Sequence, residues 1–158
     1  RAWPEENYVE LINKIVACFD SQVVIVGLDD NSGLAAGIIK MVGSEKCVDL
    51  SGQTTFTELL ALLSLADLLV SADGGPAHFS SLTRTPSVIL FGPETPLLYA
   101  PLGKQAISLT ADFACSPCLS AFNHRKSLCK DALCMKALDV PRVFRAVSRV
   151  LKNNPVNH

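Results

Sequence analysis

Apolar residues follow two different spacings along the chain, and these predict alternating helices and strands. In residues 4–19 they recur three and four positions apart, which is the spacing of one helical face. The run QVVIVG at 22–27 is rich in β-branched residues and ends in glycine, as is typical of a buried parallel strand. The same alternation continues to about residue 110.

The later helices and strands are marked by helical spacing, capping residues and short apolar runs. Further helices are predicted at 34–43, 54–66, 77–84 and 141–153, and further strands at 46–50, 67–72, 87–92 and 105–110. Thr55 and Glu58 have the spacing of a capping box, and Asp139 is placed to cap the last helix. The helix at 54–66 is apolar around nearly its whole circumference, so we expect it to be buried on more than one side.

This order of elements predicts one Rossmann-like α/β domain over residues 1–158, with helices on both faces of a parallel sheet. The 158 residues are 49% hydrophobic and 18% charged, as expected for a folded domain. The apolar runs are shorter than the roughly 20 residues that span a bilayer. The chain begins with Arg1 and not with Met, so we expect a preceding half to be missing.

The segment DGGPAH at 73–78 comes directly after a predicted strand, where a helix can begin. Ligands of parallel sheets bind at the carboxyl ends of strands, where helix N-termini present unpaired N–H groups. The two glycines let a ligand approach the backbone, and the proline suits a helix start. His78 can donate to an anionic oxygen, while Asp73 can accept from sugar hydroxyls or cap the helix. The alternative is a tight turn with Asp73 as its cap and His78 on the surface.

A second loop, GPETP at 92–96, follows the next predicted strand and is expected to form a neighbouring wall. Thr95 in this loop either hydrogen-bonds a phosphate or belongs to a structural turn. The chain has no G-x-x-x-x-G-K-S/T sequence, so P-loop NTPase chemistry is not supported.

Residues 51–103 resemble glycosyltransferase family 9, the heptosyltransferases of lipopolysaccharide core assembly. The matching features are a G-x-T/S-x-x-x-E-L helix, the Asp-x-Gly-Pro-x-His turn, the strand TPSVILFG and a G-P-T/E-x-P loop. RAWP at 1–4 and the cysteine-bearing segment from Cys115 to Met135 also match the family. The resemblance therefore covers essentially the whole chain.

The resemblance implies the C-terminal, donor-binding half of a GT-B glycosyltransferase, whose active site lies between two Rossmann-like halves. It implies a cytoplasmic enzyme that transfers heptose from ADP-heptose to an anionic, lipid-linked saccharide of the lipopolysaccharide core. The alternatives are a different nucleotide-sugar donor, or a non-catalytic module that binds a nucleotide or phosphate. The catalytic base is expected in the N-terminal half, so no catalytic residue is assigned here and the isolated chain is expected to be inactive. No cofactor and no catalytic metal are implied.

The residues expected at the donor are Arg1, Asp30, Asn31, Asp73, Gly74, Gly75, Pro76, His78 and Thr95. By resemblance, Arg1 would contact phosphate, and the loop Asp29, Asp30 and Asn31 would approach the ribose and base, with Asp30 and Asn31 both candidates for the family's acidic residue. Gly74 stands where the family commonly has Thr or Ser, which removes one hydroxyl hydrogen bond.

Four of the six cysteines are close in sequence, with the spacing C-x2-C-x10-C-x4-C: Cys115, Cys118, Cys129 and Cys134. Four thiolates would satisfy a structural zinc ion, with His124 as a competing ligand. Thiols without metal and a disulfide remain alternatives, although disulfides are unusual in a cytosolic protein. Cys18 and Cys47 are predicted to be core residues.

Charge is distributed unevenly within a net charge of −1. Residues 1–122 hold 6 Lys and Arg against 13 Asp and Glu, whereas residues 123–158 hold 8 against 2. Spacings of three and four align one set of cations on a face of the last helix: Arg142, Arg145, Arg149 and Lys152. This face is either simply solvated or a peripheral contact with the anionic inner membrane. Nucleic acid is not expected, because the rest of the chain is acidic and aromatic residues are few.

Overall fold

The computed structural model describes residues 2–28, 32–119, 126 and 128–153. The helices are α1 Glu5–Phe19, α2 Ser32–Val42, α3 Phe56–Leu65, α4 Gly75–Thr83, α5 Pro96–Tyr99, α6 Leu133–Lys136 and α7 Val140–Asn153. The strands are β1 Val23–Ile25, β2 Cys47–Asp49, β3 Leu69–Ala72, β4 Ser87–Phe91 and β5 Ala106–Thr110. Every strand pair is parallel, which confirms the predicted α/β class. Within the described ranges, no helix has the length and apolar character needed to cross a membrane.

Hydrogen bonds join the described strands into two parallel sheets, β1–β2 and β3–β4–β5, with β4 central in the second. The contacts also divide the chain into two compact units. One unit is Pro4–Leu62, and the other runs from Leu63 and includes Trp3. Each unit has its own sheet and its own packing.

In the Pro4–Leu62 unit, α1 and α2 contact each other and cover one face of the β1–β2 sheet. The buried centre of this face is Ile12, Ile38 and Cys47. Val24 and Val48 alternate to the opposite face, where they are 42% and 36% exposed. The prediction that the strand at 22–27 is buried is therefore wrong, since both covering helices lie on one side of the sheet.

Two further predictions of burial are wrong. Helix α3 has Leu63 as its buried residue, and Leu65 is 83% exposed, because the described residues do not pack around the whole helix. Cys18 is exposed because it lies in the last turn of α1, past the buried Ile15. Cys47 is buried, as predicted.

In the unit that begins at Leu63, β4 is buried along its full length. Ile89 and Phe91 pack against Ala77 of α4. Val88 and Leu90 alternate to the opposite face and are also fully buried, and α7 packs against this strand. The buried indole N–H of Trp3 donates to the carbonyl of Leu138 at 2.8 Å. Helices on both faces of the sheet are thus confirmed for β4.

Both predicted helix caps are confirmed. The Thr55 N–H donates to the Glu58 carboxylate at 2.8 Å, and the Glu58 N–H donates to Thr55 Oγ1 at 3.3 Å. The bonds that the Thr55 N–H and then the Thr55 hydroxyl donate to the carboxylate hold the pKa of Glu58 below its usual value. At α7, Asp139 Oδ1 accepts from the Arg142 N–H at 2.7 Å.

Candidate functional site

The candidate site is the turn between β3 and α4, at the carboxyl edge of the three-stranded sheet. The register of β3 and β4 ends at the pair Ala72 and Leu90. The Asp73 N–H extends this ladder by donating to the Leu90 carbonyl at 3.1 Å. Gly74 follows in an extended conformation with φ 176°, and α4 begins at Gly75. The sheet therefore fixes the start of the turn directly beside its most buried strand.

The start of α4 presents two backbone N–H donors, those of Gly74 and Gly75. Among the described residues, no acceptor is bound by the N–H of Gly74 or of Gly75. Gly74 is half-buried and Gly75 is exposed, so solvent reaches both positions. Two unpaired N–H groups at the positive end of a helix dipole form a site that favours an anion.

Helix α4 begins two residues earlier than predicted, at 75 and not at 77. Pro76 therefore lies within its first turn, where the missing N–H costs no hydrogen bond. His78 is the fourth residue of the helix and its side chain is exposed. The N-cap is Gly74, which has no side chain, so the structure does not place Asp73 at the N-cap position.

Asp73 and His78 lie on either side of the glycine pair along the chain. Asp73 is half-buried at the last rung of the β3–β4 ladder, and His78 is accessible on the first turn of α4. A carboxylate accepts hydrogen bonds from hydroxyl groups, whereas an imidazole can donate to an anionic oxygen. The turn therefore combines donors for an anion with an acceptor for a polyol.

The loop after β4 lies beside the turn, because β4 is the neighbour of β3. Thr95 is the N-cap of α5, and its Oγ1 accepts from the Leu97 N–H at 3.3 Å. The structure thus shows the structural role that was one of two alternatives for Thr95. Glu94, only 2% exposed, is a buried carboxylate in this loop that the sequence analysis did not single out. The sequence feature that could have identified Glu94 is its position as a charged residue between Gly-Pro and Thr-Pro, directly after a strand.

The cysteine-bearing segment donates hydrogen bonds to the backbone of this loop. The N–H groups of Cys118 and Leu119 both donate to the Pro93 carbonyl at 2.9 Å. The hydroxyl of Ser116 donates to the carbonyl of Gly92. Three hydrogen bonds to two consecutive carbonyls make the segment a brace for the loop that carries Glu94.

The six cysteines are free thiols in the structure. All six lie in the described part of the chain, and none forms a disulfide. Burial raises the pKa of the Cys134 thiol above its usual value. Among described residues, no three His, Cys, Asp or Glu side chains are placed to hold a metal ion, and His124 lies outside them. The structure therefore gives the segment a packing role and no support for zinc.

The structure brings together one contiguous part of the predicted site, residues 73–78, and sets Thr95 on the neighbouring loop. Arg1, Asp30 and Asn31 lie outside the described residues, so their predicted contacts with phosphate, ribose and base remain predictions.

Comparison with known proteins gives a consistent result. A family model described as "Glycosyltransferase family 9 (heptosyltransferase)" matches residues 1–128. Lipooligosaccharide heptosyltransferase 2 of Campylobacter jejuni is 29% identical over 113 residues, which are 69% of this chain and 33% of that protein. The protein of the same name from Haemophilus ducreyi is 35% identical over 112 residues, 68% of this chain and 32% of its own length.

Among solved structures, E. coli ADP-heptose lps heptosyltransferase II matches with a TM-score of 0.78 at 20% identity. The match covers 98% of this chain and 43% of that chain, and it shows a shared fold. The chain spans about a third of the length of the curated relatives it matches. It has the fold of the C-terminal part of a GT-B heptosyltransferase. Because the family match covers most of its residues, the chain belongs to glycosyltransferase family 9 (heptosyltransferase).

Proposed function

We propose that this chain binds the donor in an enzyme that transfers heptose from ADP-heptose to a lipopolysaccharide core acceptor. The observation that carries the proposal is the pair of N–H groups at Gly74 and Gly75, which bind no acceptor in the described part of the chain and are flanked by Asp73 and His78. Membership of a heptosyltransferase family supports the reaction class. The name of the E. coli structural relative, which includes ADP-heptose, supports the donor.

The proposed role of the turn is to stabilise the leaving group. During transfer the bond between the sugar's anomeric carbon and the diphosphate oxygen breaks, and its electron pair goes to that oxygen. Backbone N–H groups of Gly74 and Gly75, together with the imidazole of His78, would stabilise the growing negative charge with little reorganisation. Asp73 would accept hydrogen bonds from sugar hydroxyls and so orient the donor.

The remaining chemistry belongs to chain outside these 158 residues. The acceptor hydroxyl loses a proton as it attacks the anomeric carbon, and we propose that the base which takes this proton lies in an N-terminal half. Residues 1–158 would then act as one donor-binding domain that is inactive alone. The relatives, about three times as long as the matched region, have room for such a half.

We also propose that α7 brings the enzyme to the cytoplasmic face of the inner membrane, where its lipid-linked acceptor would be found. Val143 and Val147 are buried, so the opposite side of the helix faces solvent. The helix has no Asp or Glu. Its cationic ridge consists of the half-buried Arg142 and the exposed Arg145, Arg149 and Lys152.

The membrane proposal is tested by sedimentation with phosphatidylcholine vesicles that do or do not contain phosphatidylglycerol. Each Lys or Arg near an anionic surface contributes about 1 kcal/mol, so Arg145→Gln with Arg149→Gln should weaken vesicle binding roughly 30-fold. Lys40→Gln, which removes an exposed cation from α2, is the control. Equal binding of all three proteins would refute the ridge as a membrane contact.

Calorimetric titration of the chain with ADP and ADP-heptose tests donor binding. His78→Ala should weaken ADP about 10-fold or more, because a hydrogen bond to a charged group is lost. Asp73→Ala should weaken ADP-heptose more than ADP, since the carboxylate is assigned to the sugar. Asp67→Ala, which removes an exposed carboxylate before β3, is the matched control. Unchanged affinities in both site variants would contradict the assignment.

Gly74→Ser is a variant that should strengthen binding in the same titration. The φ of 176° suits any residue, and a Cβ at this position would meet only the Ala72 carbonyl oxygen, at 3.9 Å. The new hydroxyl would supply the hydrogen bond that family members with Ser or Thr can make. We expect ADP affinity to rise by up to roughly tenfold, and a loss of affinity would contradict the placement of the diphosphate.

A further inference from the structure

A second concave site lies at the amino edge of the three-stranded sheet, away from the turn at 73–78. It is a depression of about 250 Å³ beside the first residues of β4 and β5, Ser87 and Ala106. Its other walls come from the C-terminal half of α4 and from the loop before β5. Pockets for whole organic ligands usually measure about 300–1,000 Å³, so this depression suits a small group rather than a nucleotide.

The charges around the depression have one sign. Arg84 and Lys104 both line it, and no Asp or Glu is among its lining residues. Neither cation forms an ion pair or hydrogen bond through its side chain with any described residue. Two exposed cations without carboxylate partners leave positive potential in a concave surface, where the local field is strengthened.

The hydroxyl groups in the wall differ in their hydrogen bonding. The Ser80 hydroxyl donates to the Ala77 carbonyl at 2.7 Å, and the Thr85 hydroxyl donates to the carbonyl of Leu63. Ser81 Oγ, in contrast, is buried and has no hydrogen-bond partner within the described ranges. A buried polar atom that lacks a partner is uncommon and destabilising in a folded protein. Ser81 lines the depression, and its hydroxyl, which is closed to solvent in this conformation, has no partner among the described residues.

The backbone fixes the relative placement of these donors. Arg84 is the C-cap of α4 in a left-handed conformation with φ 58°, and its N–H donates to the Ser80 carbonyl. The Ser87 N–H donates to the carbonyl of Gln105 at 3.0 Å, which ties the loop carrying Lys104 to the start of β4. The two cations thus stand on elements that the sheet and helix hold in place.

We propose that this depression binds a phosphate group, with Arg84 and Lys104 as its first donors and the Ser81 hydroxyl as a third once its side chain rotates toward the ligand. Phosphate oxygens accept several hydrogen bonds at once and favour cationic donors, which matches a hydroxyl beside a guanidinium and an ammonium. The site is separate from the donor turn and does not depend on the proposed transferase reaction. The phosphate can belong to a small soluble molecule or to a lipid headgroup, since the same donors recognise both.

The first test is a titration of the chain with inorganic phosphate, followed through backbone amide resonances. We expect saturable shifts at Ser81, Gly103 and Lys104. Ser81→Ala should weaken binding about tenfold, and Lys104→Gln by a similar factor that shrinks at high salt. Lys136→Gln, which removes an exposed lysine of α6 outside the depression, is the control and should not weaken binding.

Three results would overturn the proposal. The first is the absence of shifts with phosphate and with phosphatidylglycerol vesicles. The second is a set of shifts confined to Gly74 and Gly75, which would place the anion at the donor turn instead. The third is binding that Lys104→Gln weakens but Ser81→Ala does not, since that indicates unspecific charge attraction.

Two further measurements identify the source of the phosphate and test whether Ser81→Ala affects the stability of the fold. Binding to phosphatidylglycerol vesicles that inorganic phosphate displaces indicates a lipid headgroup, whereas binding of inorganic phosphate alone indicates a soluble ligand. In the ligand-free protein, Ser81→Ala should leave Tm unchanged or raise it, because the unpartnered hydroxyl is removed. A marked fall in Tm would show that Ser81 has an internal role and would contradict the proposal.

Discussion

The two parallel sheets differ in how completely they are covered. In the β1–β2 sheet, both helices lie on one face, and Val24 and Val48 stand exposed on the other. In the three-stranded sheet, Val88 through Phe91 of β4 are all 0% exposed. The candidate donor turn is attached to the well-covered sheet, since Asp73 extends the ladder to Leu90. The proposed anion site thus stands on the better-packed of the two sheets.

The largest expected effect is the difference in destabilisation when a strand side chain is truncated to alanine in each of the two sheets. Phe91→Ala should destabilise the protein by about 3–5 kcal/mol, because it leaves a cavity in a closed core. Val24→Ala should cost less than about 1 kcal/mol, since this side chain is already 42% exposed. The change in the free energy of unfolding of each variant is measured by denaturant titration, with amide hydrogen exchange reporting on each sheet separately. Similar costs for the two variants would show that the coverage of the sheets is not different.

An intermediate effect is expected where the cysteine-bearing segment packs on the loop after β4. A Cβ added at Gly92 would lie 2.7 Å from Met135 Cγ and 3.2 Å from Cys134 Sγ. Gly92→Ala should therefore destabilise the protein by about 1–3 kcal/mol through overpacking. Gly33→Ala in α2, where no atom of the described residues lies within 4 Å of the added Cβ, is the matched control and should stabilise by about 0.5–1 kcal/mol. A tolerated Gly92→Ala would contradict the close packing of Met135 and Cys134 against this loop.

The smallest effect concerns pH and the Pro4–Leu62 unit. The pKa of Glu58 is lowered in the folded state by its bonds from Thr55, so its contribution to stability is present above its unfolded pKa. That contribution is lost as pH falls through the folded pKa. Tm of the wild type should therefore fall slightly more than Tm of Glu58→Gln between about pH 7 and pH 3. If Tm of the wild type and Tm of Glu58→Gln fall by the same amount over this pH range, the capping box is not a source of acid sensitivity.

The sequence predicted what depends on local spacing. The order of strands and helices, the caps at Thr55 and Asp139 and the turn at 73–78 are each set by a few neighbouring residues. It missed α5 and α6, because four residues are too few to show a helical period.

The remaining errors concern burial and distant contacts. Exposure of Cys18 and of α3 depends on which other elements cover them, and that is decided by packing and not by local pattern. The phosphate site combines Ser81 and Arg84 with Lys104, which is 20 residues further on and shares no motif with them. Such a site becomes visible only when α4 and the loop before β5 are brought together.

The central claim is that the start of α4 binds the diphosphate of the donor. A titration with ADP, followed through the backbone amide resonances, tests this claim directly. The backbone N–H signals of Gly74 and Gly75 should move saturably with ADP, while those of Val24 and Val48 stay in place. If ADP binds and the two glycine signals do not move, the diphosphate lies elsewhere and the proposed donor site is wrong.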